Sequence, residues 1–292
     1  MIHERTIDSA ILGCKTSFLI VTPEPKSQPL PAVLLLRGKP QEWLKPHEDS
    51  SRRGRNLLSV YQDLREKGYC KELAFILPQT CNDSGSNFIS HGEALHPELI
   101  EDKSQIGNGR IDAFLDEELI PHCAQSPLID TEHLSIDGFS LGGSSAIYHA
   151  LRRPELFKSC ASFDGSFLDF DFDNPLVTPE TPSDLRFDFF PYLFGFPPNE
   201  KIFRKQNPID MAKAGLGKHL PPAMIHFSNN QSPESNGWRV QRFLQEAQIQ
   251  NHAPRPDLDE ASDHQWWWVD EHLYRSLPFH SHFLYSSLSQ SQ

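Results

Sequence analysis

The sequence lacks the positive charge that a nucleic-acid-binding protein needs. Its 292 residues carry 27 Lys and Arg against 39 Asp and Glu, which gives a formal net charge of -12. Binding to a phosphate backbone requires clustered basic side chains, so a nucleic-acid partner is excluded and a polyanionic ligand is not expected. The length is enough for one large domain with a sizeable core.

Long apolar runs are also missing. The longest early run, residues 32–36, is far shorter than the roughly 20 residues that cross a bilayer, so we expect no membrane span. The start, MIHERTIDSA, has no basic segment followed by an apolar one, which is the pattern of a secretory signal. We therefore expect a cytoplasmic protein.

Cysteine is scarce and scattered. The five cysteines form no CxxC pair, which argues against a disulfide framework and against a zinc site: Cys14, Cys70, Cys81, Cys123 and Cys160. We expect them to be small core residues in a reducing compartment, and we expect no metal and no cofactor.

What the sequence does contain is an alternation of strand and helix patterns. Residues 4–12 and 16–22 predict an N-terminal hairpin. AVLLLRG at 32–38 and LAFILPQ at 73–79 are nearly all apolar and predict central parallel strands, with an amphipathic helix at 55–67 between them. A βαβ unit is the simplest arrangement of these three segments.

The same alternation continues to the C-terminus. Helices are predicted at 111–123, 144–152, 238–248 and from 266 onward, and strands at 133–137, 160–166 and 223–228. This order predicts an α/β fold in a single domain, 1–292, with a mostly parallel central sheet, helices on both faces and the N-terminal antiparallel hairpin. Residues 168–207, rich in Pro, Asp and Phe, break the rhythm and predict a lid-like insertion; anchoring of a loop by these aromatic side chains is an equal alternative.

The segment IDGFSLGGSSAIYHA carries the clearest chemical signal. It places Gly138, Ser140 and Gly142 in a GxSxG motif between a predicted strand and a predicted helix. A nucleophilic serine on a sharp strand-to-helix turn needs small neighbours, and this context distinguishes the motif from an ordinary glycine-rich turn. Ser140 is therefore the predicted nucleophile.

A serine needs a histidine to accept its proton, and in this fold the order along the chain is Ser, acid, His. His264 lies in EASDHQWWW, in a loop just before a predicted helix, and is the predicted base. Glu234 is the carboxylate in the loop after the strand at 223–228 and is the predicted acid. Asp164 and the late acidic group remain as alternatives: Asp257, Asp259, Glu260 and Asp263.

Two backbone amides are predicted to hold the oxyanion. The amide of Leu141 begins the helix after the nucleophile, where the helix dipole favours negative charge. The second comes from the loop RGKP; Pro40 has no amide hydrogen, so Lys39 is the natural donor.

These segments resemble the esterase D and antigen 85 family of α/β-hydrolase serine esterases, which includes feruloyl, acetyl xylan and siderophore esterases. LLLRGKPQEW resembles its first strand and loop, DGFSLGGSSAIYHALRRPELF its nucleophile block, SNNQSPESN the acid loop of the antigen 85 branch, and DHQWWW its ending. The resemblance implies a glutamate acid at Glu234, a pocket-lining Trp266 and ester chemistry without a metal. Arg37 departs from the family, where His or Asp is common.

The predicted function is hydrolysis of a carboxylic ester through an acyl-enzyme on Ser140, with a small-molecule or carbohydrate ester carrying a short acyl or aryl group as substrate. Two alternatives stay open: acyl transfer of the antigen 85 type, and a non-catalytic binding protein on a hydrolase fold.

Overall fold

The computed structural model describes residues 1–23, 28–88, 91–168, 172, 191–195, 198–229 and 235–290. Within them, seven strands form one sheet: β1 Ile2–Ser9, β2 Cys14–Val21, β3 Leu30–Leu36, β4 Ala74–Pro78, β5 Ile129–Gly138, β6 Phe157–Phe163 and β7 Ala223–His226. Their spatial order is β1-β2-β4-β3-β5-β6-β7. β1 and β2 pair antiparallel with each other, β2 pairs antiparallel with β4, and all later pairs are parallel.

The helices lie between the strands along the chain. In chain order they are α1 Leu57–Glu66, α2 Ile111–Ala113, α3 Ile120–Ala124, α4 Leu141–Arg152, α5 Pro191–Phe194, α6 Glu200–Gln206, α7 Pro208–Lys213, α8 Gly237–Ala247 and α9 Trp266–Gln290. A π-helical turn, Phe114–Leu119, joins α2 to α3, and short 3-10 turns occur at Pro40–Trp43, Ser50–Arg52, Pro97–Leu99 and Leu216–His219. The predicted α/β fold with its N-terminal hairpin is confirmed.

The central strands are covered on both faces because their side chains alternate between two apolar layers. In β3, Leu34 and Leu36 join the layer that includes α4 and α8, whereas Val33 and Leu35 join the layer that includes α1 and α9. Successive side chains of a strand point to opposite faces of the sheet, which explains this division. Because β3 is buried on both faces, its sequence is a continuous apolar run.

Parallel strands bring their carboxyl ends to one edge of the sheet, where the segments after β3, β5, β6 and β7 meet. The phenylalanine after β5 forms a parallel bridge with the last residue of β6, and the amide of Asp164 donates to the carbonyl of His226 at the end of β7. Among the described residues, no helix has the length and apolar character needed to cross a membrane. The predicted insertion at 168–207 lies largely outside the described residues, so its lid role stays a prediction.

Candidate active site

Ser140 lies on a sharp turn between β5 and α4. Its φ of 58° and ψ of -119° are unusual for a residue with a side chain. Its amide donates to the carbonyl of Phe163 at 3.0 Å, and its carbonyl accepts from the amides of Gly143 and Ser144 in the first turn of the helix. Such strained geometry costs about 1–3 kcal/mol and persists where the surrounding structure enforces it, which is typical of a catalytic turn.

Two glycines make the turn possible because the backbone around them is too close for a side chain. A Cβ on Gly138 would lie 2.1 Å from the carbonyl oxygen of Gly142. A Cβ on Gly142 would lie 1.9 Å from the carbonyl oxygen of Leu36 at the end of β3. The motif therefore serves close packing of helix against strand, which is the reason the sequence needs glycine at these positions.

His264 lies beside this turn. Its ring packs 4.7 Å from the ring of Phe139, the residue before Ser140, and its Nδ1 is 2.5 Å from Oδ2 of Asp164. Asp164 is fully buried, whereas the His264 side chain keeps 15% exposure. Because the carboxylate engages Nδ1, Nε2 is the nitrogen that can accept a proton from a nucleophile.

Asp164 follows β6 directly and is held by several donors. Its Oδ1 accepts from the amide of Ser228 and its Oδ2 from the amide of Asn236, each at 3.1 Å. Two amide donors and an imidazole thus satisfy the acceptor oxygens of a buried carboxyl group. The arrangement has the form of an acid that orients a catalytic histidine.

Among the described residues, the carboxylate that contacts Nδ1 of His264 is Asp164, which the sequence analysis kept as an alternative acid. Glu234 lies outside the described residues, so its predicted role as the acid stays a prediction. Asp164 follows the end of β6, whereas Glu234 belongs to the segment after β7. The sequence contained a signal for the contact between Asp164 and His264. Asp164 directly follows a buried strand, and the carboxyl ends of neighbouring parallel strands meet at one edge of the sheet.

The loop predicted to supply the second oxyanion amide lies against the sharp turn at Ser140, which we call the elbow. A Cβ on Gly142 would come within 2.8 Å of the amide nitrogen of Arg37, and the Arg37 guanidinium lies 4.8 Å from the Phe139 ring. Lys39 precedes the 3-10 turn Pro40–Trp43, and its ammonium donates to the carbonyl of Asp83 at 2.7 Å. The Lys39 side chain is therefore engaged by Asp83, and the Lys39 amide remains the candidate donor together with that of Leu141.

Trp266 packs against the residue before the nucleophile. Its side chain is only 6% exposed, and its ring makes edge contacts of 5.4 Å with Trp43 and with Phe139. These contacts place it in the packed layer behind the elbow, where it supports Phe139 and the start of α9. The pocket-lining role that the resemblance implied for Trp266 stays a prediction.

A small pocket lies beside the start of α4, the helix that follows the nucleophile. It is lined by Phe88, Leu141, Ser144, Ser166, Leu168 and Phe194, together with His91, Leu193, Gln206, Asn207 and Pro208, and it encloses about 30 Å³. Much of its wall is apolar, and its volume has room for about two water-sized groups. Ser166, whose hydroxyl lies 3.4 Å from that of Ser140, was not singled out by the sequence.

Arg52 joins the segment that follows β3 to α9, the helix that begins soon after His264. Its fully buried guanidinium forms a bidentate pair with Asp270 of α9, with distances of 3.1 and 2.9 Å. It also donates to the carbonyls of Glu42, Trp43 and Lys45, so that all five of its N–H groups have acceptors. This clamp fixes the segment that contains Glu42, Trp43 and Lys45 against α9.

We expect Arg52→Met to lower the free energy of unfolding by about 3–5 kcal/mol, because it leaves Asp270 buried without its partner. Burial already raises the pKa of Asp270, and the guanidinium opposes that rise. Urea unfolding would measure the loss. Arg53→Met changes an exposed neighbour and serves as the matched control; equal stability of the two variants would contradict the role of the clamp.

A buried polar cluster lies beneath the elbow, and we call it the Asp137 cluster: Asp137, His226, His272, His280, Ser159 and Ser135. Nε2 of His272 is 2.9 Å from Asp137, and Nδ1 of His272 is 2.8 Å from Nδ1 of His226. Although burial opposes ionisation, the charges and hydrogen bonds of His272 and His280 hold the pKa of Asp137 below its usual range. In the described part of the chain, no group of three or more His, Cys, Asp or Glu side chains has an arrangement that could hold a metal ion.

The cluster predicts a pH dependence of stability. Burial, together with the charge of His272, lowers the pKa of His226 well below its usual value of 6.5. The unfolded chain then binds a proton that the native protein does not, so stability falls as the pH drops below about 6.5, by at most about 1.4 kcal/mol per pH unit from this group. Urea unfolding between pH 7.5 and 5.5 should give a shallower pH slope for His226→Gln; an unchanged slope would contradict the prediction.

Comparison with known proteins agrees with the fold. The family described as "Putative esterase" matches residues 9–253. Three solved structures superpose on nearly the whole chain at low identity. One is an S-formylglutathione hydrolase from Agrobacterium tumefaciens, with 21% identity and a TM-score of 0.68, covering 97% of this chain and 95% of that one. The second is a fluorophosphonate-binding serine hydrolase from Staphylococcus aureus, with 16% identity and a TM-score of 0.65, covering 96% of this chain and 98% of that one. The third is a ferulic acid esterase from Anaeromyces mucronatus, with 17% identity and a TM-score of 0.61, covering 95% of this chain and 89% of that one.

No curated protein sequence matches this chain. The family match covers most of the 292 residues and includes the elbow at Ser140. The chain therefore belongs to the esterase family and is a serine esterase with the α/β-hydrolase fold.

Proposed function

We propose that the protein hydrolyses a carboxylic ester with a short acyl group through an acyl-enzyme on Ser140, with His264 as base and Asp164 as acid. The observation that carries this proposal is the 2.5 Å contact between Nδ1 of His264 and Asp164, beside the strained turn of Ser140. A serine, an oriented imidazole and a buried carboxylate are the parts that activate a weak nucleophile.

In the first step the hydroxyl oxygen of Ser140 attacks the ester carbonyl while its proton passes to Nε2 of His264. The amides of Leu141 and Lys39 hold the oxyanion, and the start of α4 adds its dipole. Collapse of this intermediate expels the alcohol, which takes the proton from His264. Water then attacks the acyl-enzyme with His264 again as base, which releases the acid and restores Ser140.

The small pocket supports a short acyl group. Phe88, Leu168 and Phe194 give it apolar walls, and its volume of about 30 Å³ suits an acetyl group better than a cinnamoyl group. Because the pocket adjoins Leu141, an acyl chain bound in the pocket would direct the ester carbonyl oxygen toward the start of α4. The alcohol part, a carbohydrate or another small molecule, would face the open side.

The test is to trap the acyl-enzyme. Incubation with p-nitrophenyl acetate should release nitrophenol in a burst, and mass spectrometry should locate an acetyl group or a fluorophosphonate adduct on Ser140. Turnover should fall from acetate to butyrate to cinnamate esters. An adduct on another residue, or no hydrolysis of any of these esters, would reject the proposal. Glycerol or a sugar as added acceptor would reveal acyl transfer by a new ester product.

A further inference from the structure

A second serine lies against the nucleophile. The hydroxyl oxygen of Ser166 is 3.4 Å from that of Ser140, and the Ser166 amide donates to the Ser140 carbonyl at 2.9 Å. Ser166 is 3% exposed and lines the pocket proposed for the acyl group. Either hydroxyl could donate to the other, so the direction of this hydrogen bond depends on what else surrounds Ser166.

Asn236 decides that direction. Nη1 of Arg239 donates to Oδ1 of Asn236, and a guanidinium can only donate. The amide nitrogen Nδ2 therefore occupies the other side of the group, where it donates to the carbonyl of Asp164 at 2.9 Å and to the hydroxyl of Ser166 at 3.2 Å. Since a carbonyl can only accept, the contact with Asp164 fixes the same orientation independently.

The Ser166 oxygen thus accepts a hydrogen bond from Asn236. Among the described residues, the other side chain within hydrogen-bond distance of the Ser166 hydroxyl is that of Ser140, so the Ser166 proton points to Ser140. We propose that Ser166 is a further catalytic residue that donates a hydrogen bond to the nucleophile, and that Asn236 and Arg239 are positioning residues that set its direction. This inference rests on the proposed function of Ser140. Because the Ser140 oxygen accepts from Ser166, its own hydrogen is left for His264.

Ser166 keeps its proton throughout the reaction. As the proton of Ser140 passes to Nε2 of His264, negative charge grows on the Ser140 oxygen, and the hydroxyl of Ser166 stabilises it. In the acyl-enzyme the same oxygen belongs to an ester and is a weak acceptor. In deacylation the Ser140 oxygen regains charge only as it leaves, after water has attacked, so Ser166 contributes to acylation and little to the attack of water that limits deacylation. This asymmetry separates a role at the nucleophile from a general structural role.

The test measures the two steps separately by stopped flow with p-nitrophenyl acetate. Ser166→Ala should slow acylation about tenfold, about the effect of one lost hydrogen bond, and leave deacylation within about twofold. Phosphonylation by a fluorophosphonate should slow in parallel. Ser135→Ala removes a hydroxyl from another buried Ser–Ser pair, with Ser159 at 2.8 Å, and should leave both steps unchanged. Equal slowing of both steps by Ser166→Ala, or no slowing, would overturn the proposal.

A double-mutant cycle tests the part played by Asn236. If Asn236 acts on acylation through Ser166, the loss in the Ser166→Ala, Asn236→Ala double variant will be smaller than the product of the two single losses. A loss equal to that product would show that Asn236 does not act through Ser166. Absence of any Ser140 adduct in the wild-type protein would reject the proposed function instead, so the two failures are distinguishable.

Discussion

Replacement of Ser140 by alanine is expected to lower kcat for p-nitrophenyl acetate by at least about 10⁴-fold, because the other groups of the site cannot supply a nucleophile. Residual hydrolysis would come from the oxyanion amides and binding alone. The measurement is steady-state hydrolysis together with the loss of fluorophosphonate labelling. Activity within tenfold of the wild-type value would remove Ser140 from the mechanism.

Ser140→Gly provides a matched variant at the same position. It removes the hydroxyl as alanine does, but glycine adopts a φ of 58° without the strain that a side chain brings. We expect it to be as inactive as Ser140→Ala and more stable than wild type by about 1 kcal/mol. Thermal unfolding would measure the gain; a glycine variant less stable than the alanine variant would argue against strain at this turn.

Replacement of Asp164 by asparagine is expected to have the second largest effect, a loss of about 10³–10⁴-fold in kcat. The amide would no longer stabilise the imidazolium form of His264 and would favour the wrong tautomer of its ring. Steady-state kinetics across pH 6–9 would measure the loss. Circular dichroism would verify that the variant keeps its fold, because Asp164 also accepts from Ser228 and Asn236.

Glu234→Gln is the control for this experiment, since Glu234 is the acid predicted from its place in the loop after the strand at 223–228. We expect its kcat to stay within about twofold of the wild-type value. The reverse result, a large loss for Glu234→Gln with nearly full turnover in Asp164→Asn, would return the acid role to Glu234. A comparable loss of kcat in both variants would indicate that both carboxylates contribute to catalysis.

Much of the fold was predictable because its signals are local. An apolar run such as 32–36 indicates a strand covered on both faces, and the GxSxG motif between a strand and a helix indicates a sharp turn. Both depend on residues within a few positions of each other. The predicted helix at 144–152 begins earlier, at Leu141, because the glycines after Ser140 pack against β3 as part of the helix.

The sequence by itself determined the strand and helix order, the position of Ser140 and the late histidine, since spacing and chain order carry that information. Only the tertiary structure decided which carboxylate meets His264, because Asp164 and His264 are 100 residues apart and meet through strand ends. Only the tertiary structure likewise decided that Trp266 packs against Phe139 behind the elbow and that Ser166 pairs with Asn236. Contacts between distant segments depend on how strands are ordered in the sheet, and local patterns do not encode that order.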